Sequence, residues 1–267
     1  MSKLIGTSGY DYKWWEQIDI HQTFFPQKCK RKLEFYAEHF NFLELNCTFY
    51  RLPSEKSVNE WYMKTPHNFK FLAKFSQYMT HFKKFHDFEQ GWNNFMTPVR
   101  HLREKLHGVL FQFPDTFHYT HERMILFYNA EKFMRGNRPL IYLELRHESW
   151  FIPEVIEQLK PLDWILVITS NPSGFQPSEL VITKPDHVMF RMHGPIPGYR
   201  GSYSDEQLVI IASYINNIKN AVVSFNNTDS LEGQSIMNDK IMLLSRDMVV
   251  NTPHAIKNAK TLISLLI

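Results

Sequence analysis

Two cysteines in 267 residues, Cys29 and Cys47, are too few for a disulfide framework or a four-thiolate metal site, and that scarcity fits a reducing compartment. No apolar run approaches the roughly 18 residues that cross a bilayer, which removes the membrane-spanning class. The opening stretch, MSKLIGTSGYDYKWW, lacks the charged start, apolar middle and small-residue cleavage site of a secretory signal, so a cytoplasmic location is expected. HxH, HExxH and CxxC patterns are missing, and so are a GxGxxG turn and a phosphate-cradling P-loop. Neither a metal motif nor a dinucleotide fingerprint is therefore on offer. Charge of one sign is also short: 30 Lys+Arg against 27 Asp+Glu gives +3, too little for a dedicated duplex-DNA binder. No repeat of fixed period and no low-complexity linker divides the chain.

What is present is a globular composition, 43% hydrophobic and 15% aromatic, with a mean hydropathy of -0.35. Short β-rich runs alternate with helical stretches. The runs are KLIGTS (3 to 8), FLELNCT (42 to 48), KFLAKF (70 to 75), GVLFQF (108 to 113), IYLELRH (141 to 147), WILVITS (164 to 170), VMFRMHG (188 to 194) and AVVSFNN (221 to 227). Helical stretches KRKLEFYAEHF, SEKSVNEWYMKT and Phe88 to Lys105 follow the first three runs, as parallel pairing requires. Ser54 is a candidate N-cap, Pro66 stops the second helix, and Ser204 with Gln207 forms a capping-box pattern. Eight strand–helix units in roughly 250 residues is the count of a TIM (β/α)8 barrel, whose active site lies at the C-terminal ends of its strands. The expectation is an α/β fold, one barrel domain over residues 1–267, with an open doubly wound sheet as the alternative. Residues 229–251, between the eighth run and the last helical stretch PHAIKNAKTLISLLI, read as an insertion, an extra loop or small lid.

Strand side chains alternate faces, so residue parity sorts each run into helix-facing and barrel-facing sets. Leu43, Leu45 and Cys47 suit the helix layer and leave Glu44, Asn46 and Thr48 inward; Leu143 and Leu145 leave Tyr142, Glu144 and Arg146. Val188, Phe190 and Met192 likewise oppose Met189, Arg191 and His193, while Lys74, Gln112, Ser224 and Asn226 turn inward on their own runs. The polar positions come late in each strand. Buried charge is expensive even when paired, so folding alone does not account for so many inward ionisable groups. Lys74, Arg146 and Arg191 outweigh Glu44 and Glu144, which points to a bound anion, a phosphate or a carboxylate.

On this reading Glu44, Glu144 and His193 are the acid/base candidates. Ser8, Tyr10, Asn46, Tyr50, Lys74, His81, Gln112, Arg146, His147, Trp150, Arg191, Asn226 and Asn227 are the candidate substrate-binding set, several of them in loops whose rings can stack on sugars or bases. A self-satisfied polar network inside the barrel is the competing structural explanation. No metal residues and no cofactor are assigned. Cationic neighbours would repel a divalent ion from Glu44, Glu144 and His193, so a metal is disfavoured.

The same stretches resemble the domain-of-unknown-function family 72, the YecE-like proteins, over nearly the whole chain. The resemblance rests on GTSGY (Gly6 to Tyr10) with Trp15 and Pro26, LELNCTFYRLPS (Leu43 to Ser54) with Trp61, Thr80 with His81, and QFP (Gln112 to Pro114). It continues through ELRHESW (Glu144 to Trp150), RMHG (Arg191 to Gly194), YSDEQL (Tyr203 to Leu208) and FNNT (Phe225 to Thr228). It implies a TIM barrel and no established reaction. Asp115 stands where that pattern usually has a second proline, and the 229–251 insertion separates FNNT from AIKNA. The expected function is an enzyme that acts on a small anionic substrate at the barrel mouth. The alternatives are a metal-dependent phosphodiesterase or sugar-isomerase type of barrel, and a non-catalytic nucleic-acid or metabolite binder.

Overall fold

The computed structural model describes residues 2–16, 24–136, 138–170, 180–228 and 253–266. Eight parallel strands close into a barrel in sequence order: β1 (Ser2–Ser8), β2 (Phe42–Leu45), β3 (Lys70–Lys74), β4 (Leu106–Gln112), β5 (Leu140–Glu144), β6 (Ile165–Ser170), β7 (His187–Met192) and β8 (Asn220–Phe225). Residues β1 and β8 pair directly, Ser2 to Thr7 against Asn220 to Phe225, so no sheet edge remains. The helices are α1 (Lys32–His39), the single turn α2 (Cys47–Tyr50), α3 (Glu55–Met63), α4 (Phe88–Val99), α5 (His121–Met134), α6 (Pro153–Leu159), α7 (Asp205–Asn216) and α8 (His254–Ser264). The fold is the expected TIM-like barrel. The expected insertion at 229–251 lies outside the described residues, and no helix among the described residues is long and apolar enough to cross a membrane.

Local signals place these elements. The Ser54 side chain accepts from the Ser57 amide and starts α3, and the Ser204/Gln207 capping box starts α7. Two corrections concern strand ends. β2 stops at Leu45, and Cys47 opens a helical turn with its side chain exposed, so Cys47 does not join the helix-facing core and Asn46 and Thr48 are not strand residues. The stretch from Phe88 to Lys105 is α4 followed by a 3-10 turn over Arg100–Lys105, not one helix.

The interior has two storeys. Near the strand starts Leu4, Phe42, Leu72, Leu110, Tyr142, Ile165, Val167, Met189 and Val222 form an apolar plug, separate from the larger cluster between strands and helices. Phe42, Leu72, Leu110, Tyr142, Val167, Met189 and Val222 each stand two positions before a polar residue of the same inward parity. At the base of the plug the Tyr142 hydroxyl lies 2.8 Å from His107 Nε2 and 2.7 Å from His187 Nε2. A register shift opposite Phe71/Leu72 makes His107 an extra residue in β4, which brings its ring to an inward tyrosine that strict alternation would deny it. The neighbouring Gly108 is required: a Cβ there would stand 2.7 Å from the Tyr142 ring.

Candidate functional site

The second storey is polar and occupies the C-terminal ends of the strands. Strand register assembles it, since Ser8 pairs with Glu44, Gln112 with Glu144, Thr169 with Arg191, and Arg191 with Ser224. Each of these pairs is laid side by side by backbone ladders that the apolar storey below holds in place.

Arg191 is the centre. It is 1% exposed; its Nε and Nη2 donate to the two oxygens of Glu44 at 2.9 and 2.6 Å, and its Nη1 donates to Glu144 Oε2 at 2.6 Å. Ser8 Oγ and Ser224 Oγ donate to Glu44 at 2.7 and 2.8 Å, so both its oxygens are fully engaged. Arg146 Nε and Nη2 both reach Glu144 Oε1 at 2.7 Å. Burial by itself would raise these carboxyls, but Arg191 overturns that at Glu44, helped by Ser8 and Lys74, and Arg191 with Arg146 does so more strongly at Glu144. Both remain ionised. Burial disfavours the charge of Arg191 as well, and the two carboxylates more than restore it.

These partnerships correct two expected roles. Glu44 is an anchored anion with no proton to give, and Arg191 commits all three of its nitrogens to the carboxylates, with Nη1 also 3.4 Å from His193 Nε2. Two guanidiniums balance two carboxylates. The surplus positive charge read from the sequence is therefore located on one group, Lys74.

Lys74 is 6% exposed at the end of β3. Among the described residues its Nζ makes no hydrogen bond and no ion pair; it stands 3.8 Å from the centroid of the Phe49 ring. Burial, then the Arg191 guanidinium, push the amine down to about 7, against the opposing pull of Glu44 and Glu144. The Phe49 ring packs edge-on against His81 at 5.1 Å, and burial followed by Lys74 and Arg146 holds His81 at about 4. His193 Nδ1 meets Asn226 Nδ2 at 3.1 Å, its Nε2 lies 3.6 Å from Glu144 Oε1, and the Tyr199 ring packs against it, tilted, at 5.2 Å. Burial holds that imidazole at about 4, so it is neutral. Two further polar atoms, Thr169 Oγ1 and Asn46 Oδ1, are buried without a hydrogen-bond partner.

The other expected residues divide. Gln112 is buried in the upper storey and donates to the Phe113 carbonyl at 2.7 Å. Tyr10 packs beside Tyr36 at a ring separation of 6.1 Å, and Tyr50 is 71% exposed next to Phe49. His147 caps the turn Glu148–Trp150 by accepting from the Ser149 amide. Trp150 belongs to the outer core: it is fully buried, stacks on Phe117 and Phe127, and donates to the Phe117 carbonyl. Asn227 faces the helices, donating to the Gly201 carbonyl and to Asn258 of α8. Trp150 and Asn227 are thus packing residues and are removed from the site. Thr169 was missing from the expected set, and Phe49 belongs to the loop rings around the mouth. Thr169 could have been found by parity on β6, whereas the contact of Phe49 with Lys74 depends on which side of α2 faces β3. Among the described residues no three His, Cys, Asp or Glu side chains gather as a metal-binding group.

Known proteins share the fold and part of the sequence. A family model described as protein of unknown function DUF72 matches residues 4–259. The UPF0759 protein YunF of Bacillus subtilis is 30% identical over 258 residues, covering 84% of this chain and 90% of its own length. YecE of Escherichia coli K12 is 33% identical over a shorter 85-residue stretch, 32% of this chain and 31% of that protein. A DUF72 crystal structure from Thermotoga maritima superposes with a TM-score of 0.77 at 24% identity, covering 100% of this chain and 99% of the other. One from Enterococcus faecalis gives 0.75 at 20%, covering 99% and 95%. Those two likenesses establish the barrel alone. The match to the family model, together with the likeness to YunF over most of both chains, places this chain in the DUF72 family.

Proposed function

We propose that the upper storey binds a small anionic molecule, a phosphate or carboxylate bearer, and that the protein is an enzyme acting on it. One observation carries this reading: Glu44 and Glu144 are occupied by Arg191 and Arg146, while Lys74, 6% exposed in the same storey, has no hydrogen-bond acceptor among the described residues. A buried donor without a partner is unfavourable, and an anionic ligand is the group that would satisfy it. Arg146 adds to the attraction, since its Nη1 is left over after Nε and Nη2 have bonded Glu144. On this reading Glu44 positions Arg191, Glu144 positions Arg146 and His193, and the neutral His193 imidazole is a hydrogen-bonding group toward the substrate.

The test is a thermal-shift panel of inorganic phosphate, sugar phosphates, nucleotides, short carboxylates and single-stranded oligonucleotides, with and without EDTA. A ligand that binds the native state alone raises its midpoint by mass action. Stabilisation by one class of small anion, unchanged by EDTA, is expected. Loss of the effect in EDTA would favour the metal-dependent alternative, and salt-sensitive stabilisation by oligonucleotides alone would favour the nucleic-acid binder. Silence across the panel would leave the upper storey as a structural network.

A further inference from the structure

The described residues include two buried lysines, and they are treated in opposite ways. Lys105 Nζ donates to the carbonyls of Tyr62 and Thr65 at 2.6 and 2.7 Å, as a buried ammonium must. Among the described residues Lys74 Nζ has no such acceptor, and it stands over the face of the Phe49 ring at 3.8 Å from the centroid. The two carboxylates in its storey are held by guanidiniums, and those guanidiniums repel a positive charge at Lys74. Desolvation and the two cationic neighbours favour the amine over the ammonium, and they outweigh the attraction of the Phe49 ring face for a cation.

An ammonium kept only to attract anions could be replaced by arginine, which never loses its proton; a lysine in this setting supplies a lone pair. We propose that Lys74 is a catalytic nucleophile whose Nζ condenses with the carbonyl carbon of a small anionic aldehyde or ketone, such as a 2-oxo acid or a sugar phosphate, to form an imine. The proposal rests on the anionic-ligand reading given above and specifies its substrate class. In the step the Nζ lone pair forms the C–N bond and the carbonyl π pair moves onto oxygen. The C–O bond then breaks, and the oxygen leaves as water carrying both amine hydrogens. No oxidant or reductant is consumed. Arg146 lies within electrostatic reach of Lys74 and is the group that would hold the substrate's anionic end.

The experiment traps the imine. The full chain is incubated at pH 7.5 with pyruvate, glyceraldehyde 3-phosphate or, as an uncharged control, acetaldehyde, reduced with sodium cyanoborohydride, and mapped by peptide mass spectrometry. With the amine at about 7, its neutral fraction at this pH exceeds that of a surface lysine by roughly two orders of magnitude or more. The expected result is reductive alkylation at Lys74 far above every surface lysine, faster with the two anionic probes than with acetaldehyde, and absent in Lys74→Arg and Lys74→Met. Labelling of Lys74 no stronger than that of the surface lysines overturns the proposal, and wild-type protein suffices to show it. The two readings fail separately: stabilisation by pyruvate or phosphate without selective trapping leaves the anion site and removes the nucleophile. Selective trapping with no preference for the anionic probes keeps the nucleophile and removes the anion site.

Discussion

The lower and upper storeys of the barrel interior stand on the same strands, two residues apart, and are filled by opposite rules. Leu72 precedes Lys74, Phe42 precedes Glu44, Tyr142 precedes Glu144, and Val222 precedes Ser224. Below, even the polar atoms are neutral and mutually matched: the Tyr142 hydroxyl bridges His107 and His187, and burial holds His107 at about 4 and His187 below its usual value. Above, five ionisable side chains share a space from which solvent is nearly excluded, and one of them, Lys74, has no hydrogen-bond or ion-pair partner among the described residues. Packing suffices to explain the lower storey. In the upper storey the unmatched group marks what folding does not require, which is the usual signature of a functional position.

The comparison is broken most severely at Arg191. Arg191→Met leaves Glu44 and Glu144 buried without their shared cation, and a loss of about 3–5 kcal/mol in denaturant unfolding is expected. Adding Glu44→Gln and Glu144→Gln to Arg191→Met should restore part of that stability without restoring ligand binding. In the lower storey Leu110→Ala should cost about 2–5 kcal/mol by opening a cavity, and ligand affinity measured well below the unfolding midpoint should hardly change.

Acid should separate the storeys less sharply. His107 and His193 are both held at about 4, below the free imidazole value, so the unfolded chain binds more protons between pH 6.5 and 4. Stability should therefore fall as pH drops through that window, by up to about 3 kcal/mol per ring in chemical denaturation. Glu44 and Glu144, depressed by their guanidiniums, contribute stability that is present above the ordinary carboxylate pKa and lost below it, so a further decline should follow under about pH 4.5. A smaller effect is expected from Tyr142→Phe, which removes the hydroxyl between the two imidazoles and should cost about 1–2 kcal/mol while flattening the upper part of the acid profile.

The barrel was legible in the sequence because parity is a strong signal where both faces of a strand are buried. The inward assignments of Glu44, Lys74, Gln112, Glu144, Arg191 and Ser224 held, and the polar residues late in the strands marked the upper storey. What parity could not supply was partnership. That Glu44 and Glu144 converge on one guanidinium depends on β2, β5 and β7 facing each other across the barrel, which no local pattern encodes. Beyond the strand ends the reading failed for a physical reason: Trp150 and Asn227 sit in connections whose direction is set by α5, α7 and α8, and an aromatic or amide there fills a gap against helices as readily as it lines a mouth. The His107–Tyr142–His187 cluster stayed hidden because one bulge residue in β4 shifts His107 out of the alternation.

The central claim, that Lys74 is retained for a ligand and not for the fold, is tested most directly by comparing the unfolding free energy of Lys74→Met with wild type at pH 6, where the amine must be protonated in a site that disfavours charge. The account predicts a variant as stable as wild type or more stable, by up to about 1 kcal/mol, because a desolvated and unpaired cation is replaced by an apolar chain of similar length. A variant destabilised by about 2 kcal/mol or more, comparable to Leu110→Ala, would show that Lys74 holds the barrel together and would contradict the account.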